Sequence, residues 1–160
     1  MNKKPQLTAS MEDYLEAIAE LQKEKKVVRV RDIAKRLNVR MPSVTGALKN
    51  LADKGFILHE KYEYVELTRD GQRQAERVRE RHLTLRTFLQ EILGLDAKAA
   101  DNDACTMEHS ISPDTQDRLM KFIDYARACA EGGETWLASF QTFRQTGQCP
   151  VPRVVKAKGA

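Results

Sequence analysis

A chain of 160 residues, 41% hydrophobic and 31% charged, has room for one or two small domains with modest cores. No apolar run is long enough to span a membrane, and the start, Met1-Asn-Lys-Lys-Pro5, lacks the apolar core of a secretory signal; a cytoplasmic protein is expected. The net charge of +4 conceals an asymmetry, because residues 25–54 hold nine Lys/Arg against Asp32 and Asp53, whereas residues 70–130 hold nine basic and eleven acidic groups. A basic unit followed by a slightly acidic one suits a nucleic-acid reader joined to a second domain, although a charge run is equally a solvated face. Cys105, Cys129 and Cys149, odd in number and widely spaced, make no disulfide framework, so reduced thiols are expected.

In chain order, Ser10 is positioned to cap a helix from Met11 to about Glu24, with Met11, Tyr14, Leu15, Ile18 and Leu21 on the helical period. Glu12 and Asp13 fall in its first turn, where the helix dipole favours acids, so Asp13 taken alone is a capping-box acid. Residues 27–30 form a short β-rich run, and residues 31–37 a short helix with Ile33, Ala34 and Leu37 inward. Asn38 opens a turn. Pro42 then starts a second helix at its first position, with Val44, Leu48 and Leu51 as the inner stripe and Gly55 as the stop. Two helices and a short turn make a helix-turn-helix. Residues 56–61 and 64–67 predict two strands around a tight turn at Tyr62-Glu63, which adds a wing. A generic three-helix bundle is the alternative, and the local positive charge argues against it.

Thr68 caps a long helix that the pattern carries to Leu93, with Gly94 as its C-cap. Ala75, Val78, His82, Leu85, Leu89 and Ile92 keep one stripe, which places His82 where a histidine is commonly a hydrogen-bonded core residue. Residues 95–104 read as a connector into one helical turn. There Cys105, Glu108 and His109 stand at i, i+3 and i+4, which on a helix gathers a thiol, a carboxylate and an imidazole on one face. These are good ligands for a divalent transition metal, and three do not close a shell; Asp13, Glu16 and His82 offer the remainder. Ser112-Pro-Asp114 starts another helix. Its apolar face, with Leu119, Phe122, Ile123 and Ala126, packs on the long helix or on a second subunit. Gly132-Gly133 breaks it, and Trp136, Leu137 and Phe140 suggest a final short helix before a basic tail. The expected fold is mainly α: a winged helix-turn-helix DNA-binding domain over residues 1–70, a helical metal-binding and dimerisation domain over 71–131, and a short helix and tail over 132–160.

Six motifs carry a resemblance: Ser10-Met-Glu-Asp-Tyr-Leu-Glu16, Val30-Arg-Asp-Ile-Ala-Lys-Arg-Leu37, Pro42-Ser-Val-Thr45, Leu67-Thr-Arg-Asp-Gly71, Arg81-His82 and Glu108-His109. In this order and spacing the chain resembles, over about residues 8–131, the diphtheria-toxin-repressor family of metal-dependent transcriptional repressors, which has iron-responsive and manganese-responsive branches. In length it resembles the two-domain manganese type, without the SH3-like domain that iron-type members often carry. The resemblance implies metal ligands at Asp13, Glu16, His82, Cys105, Glu108 and His109. Asp13 is the manganese-type residue, where iron-type members have methionine, and Cys105 is the iron-type residue, where manganese-type members have glutamate. Asp101 falls where iron-type proteins have an ancillary histidine, so a change in their second site is implied. The hybrid set suits Fe2+ or Mn2+, with Fe2+ favoured by the thiolate, and admits Co2+, Ni2+ or Zn2+ as surrogates.

The function expected is a homodimeric, metal-activated repressor of metal-homeostasis genes, and not an enzyme. It would bind double-stranded DNA at a palindromic operator, with residues 42–54 in the major groove. Arg40, Pro42, Ser43, Thr45 and Lys49 are the expected base and phosphate contacts, with Lys61 on the wing touching the backbone. Gly46 occupies a helix position where the family can carry a larger polar reader. Leu119, Phe122, Ile123 and Ala126 would contribute to the dimer. Two other classes compete: a metal-independent winged-helix regulator that senses a small molecule, and a metalloenzyme using a Cys/His/Glu shell to activate water. DNA binding in the presence of a chelator would favour the first. No Gly-rich loop or further acid–base constellation supports the second. Cys129 and Cys149 match nothing and read as spare thiols.

Overall fold

The structure, a computed structural model, describes residues 7–59, 64–131 and 136–148. Its internal contacts divide the chain into two compact units, one running to His82 and one from Leu83.

The first unit begins with α1, Ala9–Glu24. Its cap is Thr8, not the expected Ser10: Thr8 keeps extended backbone and its hydroxyl accepts from the Met11 N–H, while Ser10 already lies inside the helix. The helix therefore starts two residues earlier than expected, Met11 follows the cap at the third position, and Asp13 is no capping-box acid. The run at residues 27–30 forms no strand. Helix α2, Val30–Leu37, takes its last residue, and the Val28 carbonyl accepts one hydrogen bond from Val65 N–H at 3.0 Å. Asp32 holds the start of α2 by accepting from Arg29 N–H at 3.1 Å. Asn38 ends the helix in the left-handed region at φ 53°, which asparagine tolerates better than most residues.

Helix α3, Met41–Asp53, begins one residue before expectation and carries Pro42 at its second position. The first four N–H groups of a helix lack intrahelical partners, so proline is as harmless there as at the first. Strands β1, Ile57–His59, and β2, Val65–Leu67, pair antiparallel with Ile57 opposite Leu67 and His59 opposite Val65. They are shorter than expected, and the proposed turn and Lys61 lie outside the described residues. Alternation holds: Ile57 and Val65 are buried, Leu58 and Glu66 exposed. Leu15, Ile18, Ile33, Val44, Leu48, Leu51 and Phe56 close a single core beneath these elements.

The wing is fastened to helix α4, Arg69–Thr87, at a tight seam. Thr68 N–H donates to the Phe56 carbonyl, and its hydroxyl donates to the Gly55 carbonyl while accepting from Gly71 N–H. A Cβ on Gly71 would stand 1.9 Å from the Phe56 carbonyl oxygen, so the close approach itself requires glycine.

In the second unit the expected helix to Leu93 is interrupted. The α-helical hydrogen bonding of α4 stops at Thr87, and residues Phe88–Ile92 form a π-helical turn with Leu93 N–H donating to Phe88 carbonyl. Gly94 ends it at φ 68°, as expected of a C-cap glycine. The expected connector at residues 95–104 is instead helix α5, Ala97–Met107, capped by the Asp96 carboxylate on the N–H groups of Lys98 and Ala99. A pattern of large residues does not reveal it, because its inward face is alanine: Ala100 and Ala104 are fully buried against Leu85 and Leu89. Alanine is also the best helix former, so the segment needs no bulky stripe.

Helix α6, Pro113–Glu131, starts at the expected Ser112, whose hydroxyl accepts from Thr115 N–H. Its apolar residues divide. Ile123 and Ala126 are buried within the chain, Leu119 is half-buried, and Phe122 is exposed, as are Met120 on α6 and Leu83 on α4. Gly132-Gly133 lies outside the described residues. Helix α7, Trp136–Thr146, sets its Trp136 ring against Phe122 and Tyr125. Gln141 and Arg144 donate to the carbonyls of Ile92 and Gly94, satisfying acceptors that a helix end leaves open.

Candidate metal centre and nucleic-acid interface

Asp13 and Glu16 stand three apart on α1, and both are half-buried. Their neighbour Glu12 accepts from Arg81 of α4 at 2.7 Å, with both side chains only 15% exposed. Within the first unit this ion pair ties α1 to α4 one residue before Asp13 and one residue before His82. His82 is half-buried, so it lies at the edge of the stripe that its spacing predicts. Burial, with the adjacent Asp13 charge adding to it, pushes the Tyr14 phenol up.

In the second unit the alanine face of α5 brings its C-terminal end down onto the core. Glu108 caps that end and is 1% exposed. His109 follows in the turn, its Nε2 3.4 Å from Glu108 Oε1. Two ligand atoms at that separation can reach one cation at the roughly 2.0–2.2 Å usual for nitrogen and carboxylate oxygen. A buried carboxylate is costly unless a cation or hydrogen bonds compensate it, which makes this pair chemically suited to a divalent ion. Cys105 stands three residues before Glu108, whose backbone is still helical and whose N–H donates to the Ala104 carbonyl at 2.9 Å, so the expected helical spacing is kept; the thiol is exposed whereas the carboxylate is buried. Arg86 Nε lies 3.6 Å from Asp101, giving that carboxylate a guanidinium neighbour. Cys129 is half-buried, and Cys149 lies outside the described residues.

The candidate nucleic-acid face is the exposed side of α3. Val44, Leu48 and Leu51 are fully buried, which turns Pro42, Ser43, Thr45 and Lys49 outward together with the cap residue Arg40. Thr45 donates its hydroxyl proton to the Met41 carbonyl, leaving its lone pairs and methyl for an outside partner. The same face carries a residue that sequence reasoning missed, Asn50, which is exposed beside Lys49, while Met41, 53% exposed, stands at the start of the helix on another side. The signal for Asn50 lies in the 100° step of the helix, since it falls one turn after Gly46 on the outer side. Arg36 faces elsewhere and pairs with Glu20 at 2.7 Å and Glu24 at 2.6 Å, tying α2 to α1.

A winged helix-turn-helix within a basic stretch of chain, followed by a helical unit in which a buried glutamate stands beside a half-buried histidine, defines a class of metal-linked DNA-binding regulators. Comparison with known proteins narrows the class. Residues 6–65 match the family model described as iron dependent repressor, N-terminal DNA binding domain, and residues 68–137 match iron dependent repressor, metal binding and dimerisation domain. The chain belongs to this family of metal-dependent transcriptional repressors, and it carries the family's DNA-binding domain and its metal-binding and dimerisation domain.

The chain is 36% identical over 119 residues to the uncharacterized HTH-type transcriptional regulator MJ0568 of Methanocaldococcus jannaschii, covering 74% of this chain and 95% of that protein. Among solved structures it is similar to the manganese regulator SloR, at 30% identity and TM-score 0.65, covering 72% of this chain and 54% of that one. It is also similar to IdeR of T. acidophilum, at 27% identity and TM-score 0.64, covering 75% and 55%. The chain thus spans about half the length of these two solved proteins. No helix among the described residues is long and apolar enough to cross a membrane.

Proposed function

We propose that the chain is a homodimeric repressor whose affinity for a palindromic operator is switched on by Fe(II) or Mn(II), and that it controls genes of metal homeostasis. The observation that carries this reading is Glu108, a carboxylate 1% exposed with an imidazole beside it, inside a domain of the metal-binding type. Asp13, Glu108 and His109 would hold the ion, with Glu16, His82 and Cys105 as further ligands. A bound divalent cation would supply positive charge to this carboxylate-rich set.

The chain's own residues do the rest. Asp13 and Glu16 belong to the helix that underlies the DNA reader, whereas Glu108 and His109 belong to the dimerisation domain, so a shared ion restrains one with respect to the other. Restraint lowers the entropy lost when two recognition helices engage two half-sites, and that difference is the coupling between metal and DNA. Arg40 and Lys49 neutralise phosphates, while Pro42, Ser43 and Thr45 meet base edges. Met120 of α6 and Leu83 of α4, with the part of Phe122 that Trp136 leaves uncovered, are exposed apolar side chains that would be offered to the second subunit. Ile123 and Ala126, already covered by their own chain, support that face from beneath. SloR is named a manganese regulator, and another similar structure is a manganese-dependent transcriptional repressor in complex with manganese, which supports a divalent-metal role here.

The test is anaerobic fluorescence anisotropy on a duplex selected from a randomised pool, with buffered Fe(II) or Mn(II) and with a chelator. Affinity should rise about 10- to 100-fold with metal, within the usual range of coupling between sites. Equal affinity in the chelator would overturn the reading in favour of a metal-independent regulator.

A further inference from the structure

Gly46 sits in the middle of α3, where glycine weakens a helix relative to alanine. The fold does not ask for it. A Cβ built there meets nothing within 4 Å, in contrast with Gly71, where it would strike the Phe56 carbonyl, and Gly55, which adopts φ 75°. At about 100° per residue, Gly46 stands on the side of α3 opposite the buried stripe of Val44, Leu48 and Leu51. One turn before it are Pro42 and Ser43, and one turn after it are Lys49 and Asn50, all exposed.

We propose that Gly46 is a specificity-determining position, whose missing side chain lets α3 seat deeper in the major groove of DNA than a helix with a side chain there could. The proposal rests on the DNA-binding reading above. A helix with its side chains is roughly 10–12 Å across and the major groove about 12 Å wide, so the outermost atoms of the helix set how far it enters. Removing the outermost side chain brings the backbone nearer the base edges by about one bond length, roughly 1.5 Å, for each carbon absent. The residues around the gap suit a close approach. Ser43 and Thr45 are short, and Thr45 is turned back by its hydrogen bond to the Met41 carbonyl. Short side chains reach base edges only from a helix that lies deep. Arg40 and Lys49, longer and at either side, then fall level with the phosphates. Gly46 therefore reads DNA through what it leaves out, and any residue with a side chain excludes the closest docking.

The experiment uses the full chain with Mn(II) and a duplex selected by the unaltered protein from a randomised pool. Gly46→Ala and Gly46→Gln are compared by thermal melting and anisotropy. Both variants should melt at or above the temperature of the unaltered protein, because a helix-weakening residue is removed. Gly46→Ala should bind the selected duplex about tenfold more weakly, and Gly46→Gln weaker still, with a different sequence recovered when it is put through its own selection. Affinity within twofold of the unaltered protein for both variants, or tighter binding by either, overturns the proposal. Chelator-insensitive binding by the unaltered protein would instead count against metal activation, and the comparison of variants would stand.

Discussion

Glu12 and Arg81 meet at 2.7 Å with only 15% of either side chain exposed, and each directly precedes a proposed ligand, Asp13 and His82. The pair fixes the register of α1 against α4 from inside the DNA-binding unit. Exposed ion pairs contribute little, but one this well covered leaves a costly charge when its partner is removed. Arg81→Ala should destabilise the protein by about 1–3 kcal/mol and raise the Mn(II) concentration needed for DNA binding. Denaturant unfolding and metal titration check the two effects separately. An unchanged metal requirement would leave the pair with a purely structural role.

Glu108→Ala or His109→Ala should abolish metal-stimulated DNA binding while the protein remains a folded dimer. Both residues lie outside the basic reader, so their loss removes coupling and spares the DNA surface. Sedimentation and anisotropy with and without Mn(II) decide it, and full metal-dependent affinity in either variant would refute the assignment.

The legibility of this site in the sequence is uneven for identifiable reasons. Glu108 and His109 stand out because their types and adjacency are unusual on a helix end. Spacing puts Cys105 on the side of Glu108, but it does not reveal that the thiol is exposed while the carboxylate is buried. The first unit is readable because Leu15, Ile18, Val44, Leu48 and Leu51 are large and periodic. Helix α5 escapes the same search because Ala100 and Ala104 carry its packing. On α6, periodicity identifies an apolar face but does not divide what its own chain covers, Ile123 and Ala126, from what it leaves exposed, Phe122.

In the proposed ligand set the cognate metal would turn on Cys105. A thiolate favours Fe(II) over Mn(II), whereas Asp13, Glu16 and Glu108 supply hard oxygens that suit manganese. Fe(II) should activate DNA binding at a lower free concentration than Mn(II), and Cys105→Glu should narrow or invert the gap. Anaerobic titration with buffered metals gives the answer, and an unaltered preference in Cys105→Glu would move the choice to Asp13 and the geometry.

Acid should weaken the first unit through Asp32. The hydrogen bond from Lys25 holds its carboxyl below the usual range, with Arg29 N–H assisting and burial opposing. A carboxyl whose folded pKa is depressed stabilises the fold above its unfolded value, about pH 4, and that contribution is lost as pH falls through the folded value. Asp32→Asn should therefore cost about 1 kcal/mol at neutral pH and flatten the loss of stability below about pH 4. Chemical denaturation across pH would show parallel curves for the two proteins if Asp32 has no such part.

Ala100 and Ala104, both fully buried, meet the core through single methyl groups, so α5 can lie close to the elements beneath it. Glu108 and His109 lie four and five residues beyond Ala104, at the end of that helix. Side-chain volume at residue 104 would consequently work as a shim under the proposed ligand pair: each added carbon would lift the end of α5 and shift where carboxylate and imidazole converge. Ionic radius can then be accommodated by changes at a chemically inert position, and a lineage could retune its metal while every coordinating residue stays the same.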